Sequence, residues 1–270
     1  MQTQQQAQQL VEPSALLRSW RSKRRLSQME LALEVGVSPR HLSFVETGRA
    51  RPSAELLLAL AARLDMPLRE RNHLLLAHGH APRYSQQPLQ AQDMQPVRAA
   101  LQRLLDAHQP YPGVVLDRHW NVVLANRAAL DLTALLPPEL RAAPPQPQPL
   151  NIMRASLHPQ GMARFTSNFA DWGGYLVEAL HRAVLESGDA ELLALEREVS
   201  AYPNVQALPA AAAPAAPALL VPCQLELPIG RLSLFTTLTS FGTPRDVTLQ
   251  ELCVELFYPA DGETERLLRG

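Results

Sequence analysis

The chain reads as an all-α domain followed by an α+β domain, and three features carry that reading. Between Ser27 and Glu46 two short helical patterns meet at a single glycine. A glutamine- and proline-rich stretch, residues 85–95, then separates a basic half from an acidic one. Beyond it, strand patterns and helical patterns alternate around turn residues. At 270 residues the chain is long enough for two ordinary domains. Residues 1–84 hold 12 Lys and Arg against 7 Asp and Glu, net +5, and residues 85–270 hold 13 against 19, net −6. The near-neutral total of −1 therefore conceals a basic first half.

Residues 1–13 form a Gln-rich tail, expected to be disordered, with no basic start and apolar core of the kind a secretory signal needs. No apolar run approaches the roughly 20 residues that span a bilayer. Two cysteines, Cys223 and Cys253, make no disulfide framework and fit a reducing compartment, so the expectation is a cytoplasmic protein without membrane attachment.

The first domain is expected over residues 14–84. Ser27 is an N-cap residue and Glu30 completes a capping box, so a helix starts there. Leu31, Ala32 and Val35 recur at near-helical spacing, and Gly36 stands where the chain leaves a helix through the left-handed region. Ser38 caps again, with Pro39 in the first helical position, where a missing N–H costs nothing. The second helix runs to about Glu46, with Leu42 and Val45 on its apolar side and Arg40, His41, Ser43 and Phe44 on the other. Two helices joined by a tight glycine turn form the helix-turn-helix signature, whose second helix enters the DNA major groove. Arg40 is the expected base reader, since a guanidinium can bond guanine O6 and N7 together. The bland alternative is a helical hairpin with a solvated polar face. Against it stand the double capping and the flanking cluster Arg18, Arg21, Lys23, Arg24, Arg25, Arg49 and Arg51, placed where phosphates would run.

The stretch LRSWRSKRRLSQMELALEVGVSPRHLSFVETGRARPSAELLLALAARLDM resembles the DNA-binding domain of XRE-type regulators, the Cro and phage-repressor fold. That resemblance implies double-stranded DNA as partner, a phosphate contact from Gln28, and base contacts from Pro39, Arg40 and His41, with Phe44 one turn later. It also implies a structural ion pair between Arg21 and Glu46. With Ser38, Ser43, Arg49 and Arg51, these complete the candidate DNA-binding set. Phe44 replaces the usual polar residue and either meets a thymine methyl or packs.

Ser53 is expected to cap a fourth helix to about Leu64, carrying Leu56, Leu57, Leu60 and Leu64 inward. A fifth should run from Leu68 to about His78, with Leu68, Leu75 and Leu76 inward. His73, His78 and His80 lack the cysteine or carboxylate company of a metal site, and no metal is expected. Residues 85–95 read as an interdomain linker.

The second domain is expected over residues 96–270. Val97, Leu101, Leu104 and Leu105 mark a helix ending before Pro110. Gly113 to Leu116 and Trp120 to Leu124 flank the turn Asp117-Arg118-His119 as a hairpin. Asn126 caps a helix from Arg127 to about Leu136, after which the prolines of PPELRAAPPQPQP exclude regular structure. Asn151 caps a short helix. Phe165, Phe169, Trp172, Leu176, Leu180 and Ala183 then lie on one stripe of a long helix to Ser187, despite Gly173-Gly174, for which close packing is the preferred reason. A helix from Ala190 to about Tyr202 follows, then ALPAAAAPAAPALLVP, a low-complexity loop insertion. Cys223 to Pro228, Leu232 to Ser240 and Val247 to Tyr258 are strand candidates, completing an antiparallel sheet of about five strands. Alternation in the last strand sets Leu252, Val254 and Leu256 on one face and Glu251, Cys253 and Glu255 on a wetter one. Cys223 shares an apolar face with Leu225 and Leu227, so the two sulfurs should point to opposite sides and never bridge.

The segments HQPYPGVVLDRHWNVVLANRAA, NIMRASLHPQGM, SNFADW and FGTPRDVTLQELCVELFYPADGETERLL resemble the MmyB-like ligand-binding domain that follows an XRE domain in bacterial regulators. The resemblance implies a PAS-like fold enclosing a small apolar ligand, a fatty acid or acyl compound foremost, and no other cofactor. Phe165, Phe169, Trp172, Leu176, Leu234 and Leu238 are the candidate lining residues. The chain carries no G-x-S-x-G, no His/carboxylate motif and no glycine-rich phosphate loop, so no enzymatic activity is expected. The expectation is a transcriptional regulator acting as a homodimer on an inverted repeat, its second domain a sensor. The alternative is a second domain that serves only dimerisation or partner binding.

Overall fold

The computed structural model describes residues 13–141, 149–209 and 220–270, and the chain divides into two compact units. The glutamine-rich tail up to residue 12, residues 142–148 of the proline-rich stretch and residues 210–219 of the alanine- and proline-rich insertion lie outside the described residues.

In the first unit, α1 (Pro13–Lys23), α2 (Gln28–Glu34), α3 (Pro39–Glu46), α4 (Ala54–Arg63) and α5 (Leu68–Ala77) enclose a leucine core. Leu17, Leu31, Leu42, Leu57, Leu60, Leu64, Leu74 and Leu75 are all fully buried in it. Three helices start on serine hydroxyls: Ser27 accepts from the Glu30 amide at 3.1 Å, Ser38 from His41 at 3.1 Å and Ser53 from Leu56 at 3.2 Å. Glu30 completes the capping box by accepting from the Ser27 amide at 2.7 Å. Gly36 leaves α2 at φ +73, and Gly48 follows α3 at φ +69. Leu76 corrects the expected inward set. It is exposed, because Leu74 and Leu75 take the core face and one further residue turns about 100° off it.

In the second unit, α6 (Gln95–Ala107) leads into β1 (Gly113–Leu116) and β2 (Val122–Ala125), followed by α7 (Arg127–Thr133), α8 (Pro138–Arg141) and α9 (Ile152–Leu157). Then come α10 (Phe169–Ser187), α11 (Ala190–Ser200), α12 (Pro203–Gln206), β3 (Cys223–Leu227) and β4 (Gly230–Thr239). The chain continues through α13 (Val247–Glu251), β5 (Cys253–Pro259) and α14 (Gly262–Arg269). The five strands form one antiparallel sheet in the order β2-β1-β5-β4-β3, a PAS-like arrangement with helices packed against it.

Several local expectations change for identifiable reasons. The helix after Asn126 stops at Thr133, and Pro138–Arg141 forms a helical turn, since proline is tolerated at a helix start. The long stripe helix begins at Phe169, not Phe165. Thr166 bridges to Leu225 and the Ser167 amide donates to the Gln224 carbonyl at 2.9 Å, which holds the chain extended between the turn Met162–Phe165 and α10. A Cβ on Gly173 would sit 2.9 Å from the Phe169 ring, whereas one on Gly174 would meet nothing within 4 Å. Close packing therefore accounts for the first glycine only. Asp261, accepting from the Thr264 amide at 2.7 Å, caps the unforeseen α14.

The expected strand from Val247 to Tyr258 is two elements. Asp246 accepts from the Leu249 amide at 3.2 Å and starts the turn of α13, and β5 begins only at Cys253. Residues Gly242–Gln250 group with the first unit, not with the sheet they interrupt. There the Val247 amide donates to the Ser85 carbonyl at 2.8 Å, the Gln87 amide to Asp246 at 3.1 Å and the Leu68 amide to Gln250 at 2.6 Å. The stretch read as a linker from residue 85 is thus hydrogen-bonded at its start, and the first unit runs to Pro88.

Candidate nucleic-acid interface and ligand cavity

The reading helix α3 is held from beneath by Leu42 and Val45, both buried, and by a buried ion pair at its last residue. Arg21 donates to Glu46 through Nε at 2.7 Å and Nη2 at 2.9 Å, and through Nη1 to the Leu26 carbonyl at 2.8 Å. The fork geometry holds the Arg21 guanidinium protonated even more firmly than usual, chiefly through its hydrogen bond to Glu46. Gln28 donates to the second Glu46 oxygen at 2.7 Å, which uses one of its two amide hydrogens.

Pro39 and Arg40 are exposed in the first turn of α3, and His41 and Ser43 are half-buried beside them. Ser38 spends its oxygen on the cap. The Arg40 guanidinium lies over the Phe44 ring, 5.4 Å from its centroid. Phe44 therefore packs as a platform under the expected base reader, one turn along the same helix. Arg49 and Arg51 are exposed just past the helix end. His78 and His80 each engage a backbone carbonyl, of Leu74 at 3.0 Å and of Pro52 at 2.9 Å, and His73 lies 3.6 Å from Glu70. Among the described residues no group of three or more His, Cys, Asp or Glu is placed to hold a metal.

The second unit contains a cavity of about 110 Å³ between the sheet and its covering helices. Val114 and Val122 of the first hairpin, Leu234, Cys223 and Leu225, and Glu255 and Phe257 of β5 form its floor. Ala129, Leu132, Ile152, Met162, Trp172 and Leu176 form its roof. A more open groove of about 420 Å³ adjoins it, sharing Pro112 and Leu132 as walls and reaching out to Leu135, Ile229, Arg127 and Asp131.

Of the six lining residues expected from sequence, Trp172, Leu176 and Leu234 face the cavity. Phe165 packs under the Arg164 guanidinium, and Phe169 packs over Gly173, both at the margin of the core. Leu238 is 58% exposed, since β4 outruns its pairing with β3, which ends at Leu234.

The ionisable group in the wall is one that alternation had assigned to a wet face. Strand register pairs Cys223 with Leu234 and Leu234 with Pro259, so Cys223 shares a face with Pro259, Phe257, Glu255 and Cys253. Helices cover that face, and Glu255 is buried. Burial pushes its carboxyl up to about 7, partly offset by a hydrogen bond with the Thr236 side chain. Burial likewise pushes the Cys223 thiol up to about 12, helped by the Glu255 charge, and raises Cys253. The two free thiols thus share a face rather than opposing one another. Roughly 20 Å of strand and two strand spacings keep them apart. Phe257, two residues beyond Glu255, was the sequence signal that this face is an inner one.

A family model for the MmyB-like transcription regulator ligand binding domain matches residues 97–270, and a helix-turn-helix model matches residues 17–71. No curated protein matches. A structure of an RNA-binding light-oxygen-voltage receptor is 13% identical, over 100% of this chain and 67% of that one, at a TM-score of 0.27 too low to bear on function.

Proposed function

The chain belongs to the MmyB-like transcription regulators, which join a DNA-binding helix-turn-helix to a ligand-binding domain, and from that premise we propose that the ligand is apolar, a fatty acid or acyl compound, and that it alters the DNA affinity of a homodimer. The cavity carries this reading: its walls are mostly apolar on both the sheet and the helix side. Its 110 Å³ is smaller than the roughly 150 Å³ void that takes up benzene, so an acyl chain enters only as a wall moves, towards the adjoining groove through Leu132. A ligand that needs a displaced wall favours one of two arrangements, and that difference is what regulation requires.

One recognition helix covers a few base pairs, so specificity calls for two, about 34–36 Å apart on an inverted repeat. Arg40 reads a base, Gln28, Arg49 and Arg51 meet phosphates, and the whole acts in the cytoplasm without catalysis. Among the described residues no helix is long and apolar enough to cross a membrane. The test is operator affinity of delipidated protein titrated with acyl chains of increasing length. Affinity should shift by a coupling of about 1–3 kcal/mol, and the ligand should bind more tightly with each added methylene until the space is full. Unchanged operator affinity at saturating ligand would leave the second domain as a dimerisation or partner-binding module.

A further inference from the structure

Resting on the apolar-ligand reading above, and within it favouring an acyl compound over a free fatty acid, we infer that the polar end of the ligand is a hydrogen-bond donor, a hydroxyl or amide N–H that pairs with Glu255, and not a free carboxylate. The cavity wall holds one carboxyl group, that of Glu255, and no lysine, arginine or histidine. A fatty-acid carboxylate inside it would meet no opposite charge and would face a like one, and burying an unpaired charge costs far more than burying a paired one.

A hydroxyl or amide finds the reverse situation. Glu255 projects from the middle of β5, opposite Val114 on one side and Leu238 on the other, with neither of those neighbours able to donate. Its polar partner is Thr236, and a carboxyl group has about four acceptor sites, so that one hydroxyl leaves capacity for a further donor. A donor that reaches it gains a hydrogen bond in an apolar enclosure and relieves the under-solvated acid at the same time. The adjoining groove does carry a guanidinium, but Arg127 is largely in water and paired with Asp131 at 2.9 Å. It offers an external seat for a carboxylate, outside the cavity.

The experiment compares decanamide, decanol and decanoate, one chain length with three head groups, by titration calorimetry on delipidated full-length protein in mildly alkaline buffer. Decanamide and decanol should bind at least about tenfold more tightly than decanoate. Glu255→Gln, which keeps the shape and can itself donate, should narrow that ratio to about threefold or less by improving decanoate. Circular dichroism confirms that the variant is folded. Equal affinity of the three in the wild type overturns the inference, as does a ratio unmoved by Glu255→Gln. A preference for decanoate that Arg127→Gln abolishes also overturns it and seats the head group in the groove. Those results would leave the apolar-ligand reading standing. Failure of all three to bind saturably would overturn that reading as well.

Discussion

Among the described residues two glutamates are buried, one in each unit, and their surroundings differ in kind. Glu46 ends the reading helix with Arg21 and Gln28 donating to both of its oxygens, three hydrogen bonds between 2.7 and 2.9 Å. Glu255 lies in an apolar cavity wall with the Thr236 side chain for company and a carboxyl pushed up to about 7. The first is a closed structural device in which both carboxylate oxygens have donors. The second is an open one, a carboxyl in a cavity wall with one hydroxyl as its polar partner. A buried polar group left half-satisfied is costly, and a donor that completed it would relieve that cost.

The largest expected effect tests the closed device. Arg21→Ala leaves Glu46 buried without its counter-charge and should destabilise the first unit by about 3–5 kcal/mol, read from denaturant midpoints. A loss below about 1 kcal/mol would mean that Glu46 is no more committed than a surface carboxylate, and the contrast would fail. Glu255 makes the opposite prediction. Its folded pKa, near 7, lies above the ordinary 4.5, so the folded state binds the proton more tightly. Its contribution to stability is intact below about pH 4.5 and is lost as pH rises towards and through 7, a change of roughly 3 kcal/mol. Glu255→Gln should therefore stabilise the second unit relative to wild type above neutrality and give little difference in acid. A difference that is flat across that window would show Glu255 to be solvated.

Arg40→Ala should cost about 1–3 kcal/mol on the cognate operator and relax preference at one base pair, measured by anisotropy against random DNA. Equal losses on both DNAs would make Arg40 a phosphate contact. The smallest effect belongs to the capping of the same helix. Ser38→Ala removes an acceptor from the His41 amide and should cost about 1 kcal/mol of stability without changing base preference.

The first unit was legible because its signals are short-range. A serine three residues before an amide, a glycine at φ +73 and a proline in a first turn act within one helical turn, so SQMELALEVGVSPRHLSFVE determines α2, the turn and α3 almost alone. Even the face of α3 that carries Arg40 follows from where Leu42 and Val45 must go.

Local pattern also placed the five strands of the second unit in the sequence, though it ran α13 into the last one, and it did not say what lies over them. Alternation says that Glu255 and Leu256 face opposite ways, and it cannot say that helices close over the Glu255 side. The same limit moved Leu238 out of the lining set, since its exposure depends on where β3 stops pairing. It also hid the hydrogen bonds that place Asp246, Val247 and Gln250 with the first unit, because those partners lie more than 150 residues away in the chain.

Sequence by itself thus determined the two-unit order, the capped reading helix and the identity of its exposed residues, all set by interactions spanning three or four positions. Only the tertiary structure decided that Glu255 is buried in a cavity wall, whereas the Arg21–Glu46 pair was already implied by the resemblance. Burial and hydrogen-bond supply depend on groups brought together from distant parts of the chain, and no local pattern encodes them.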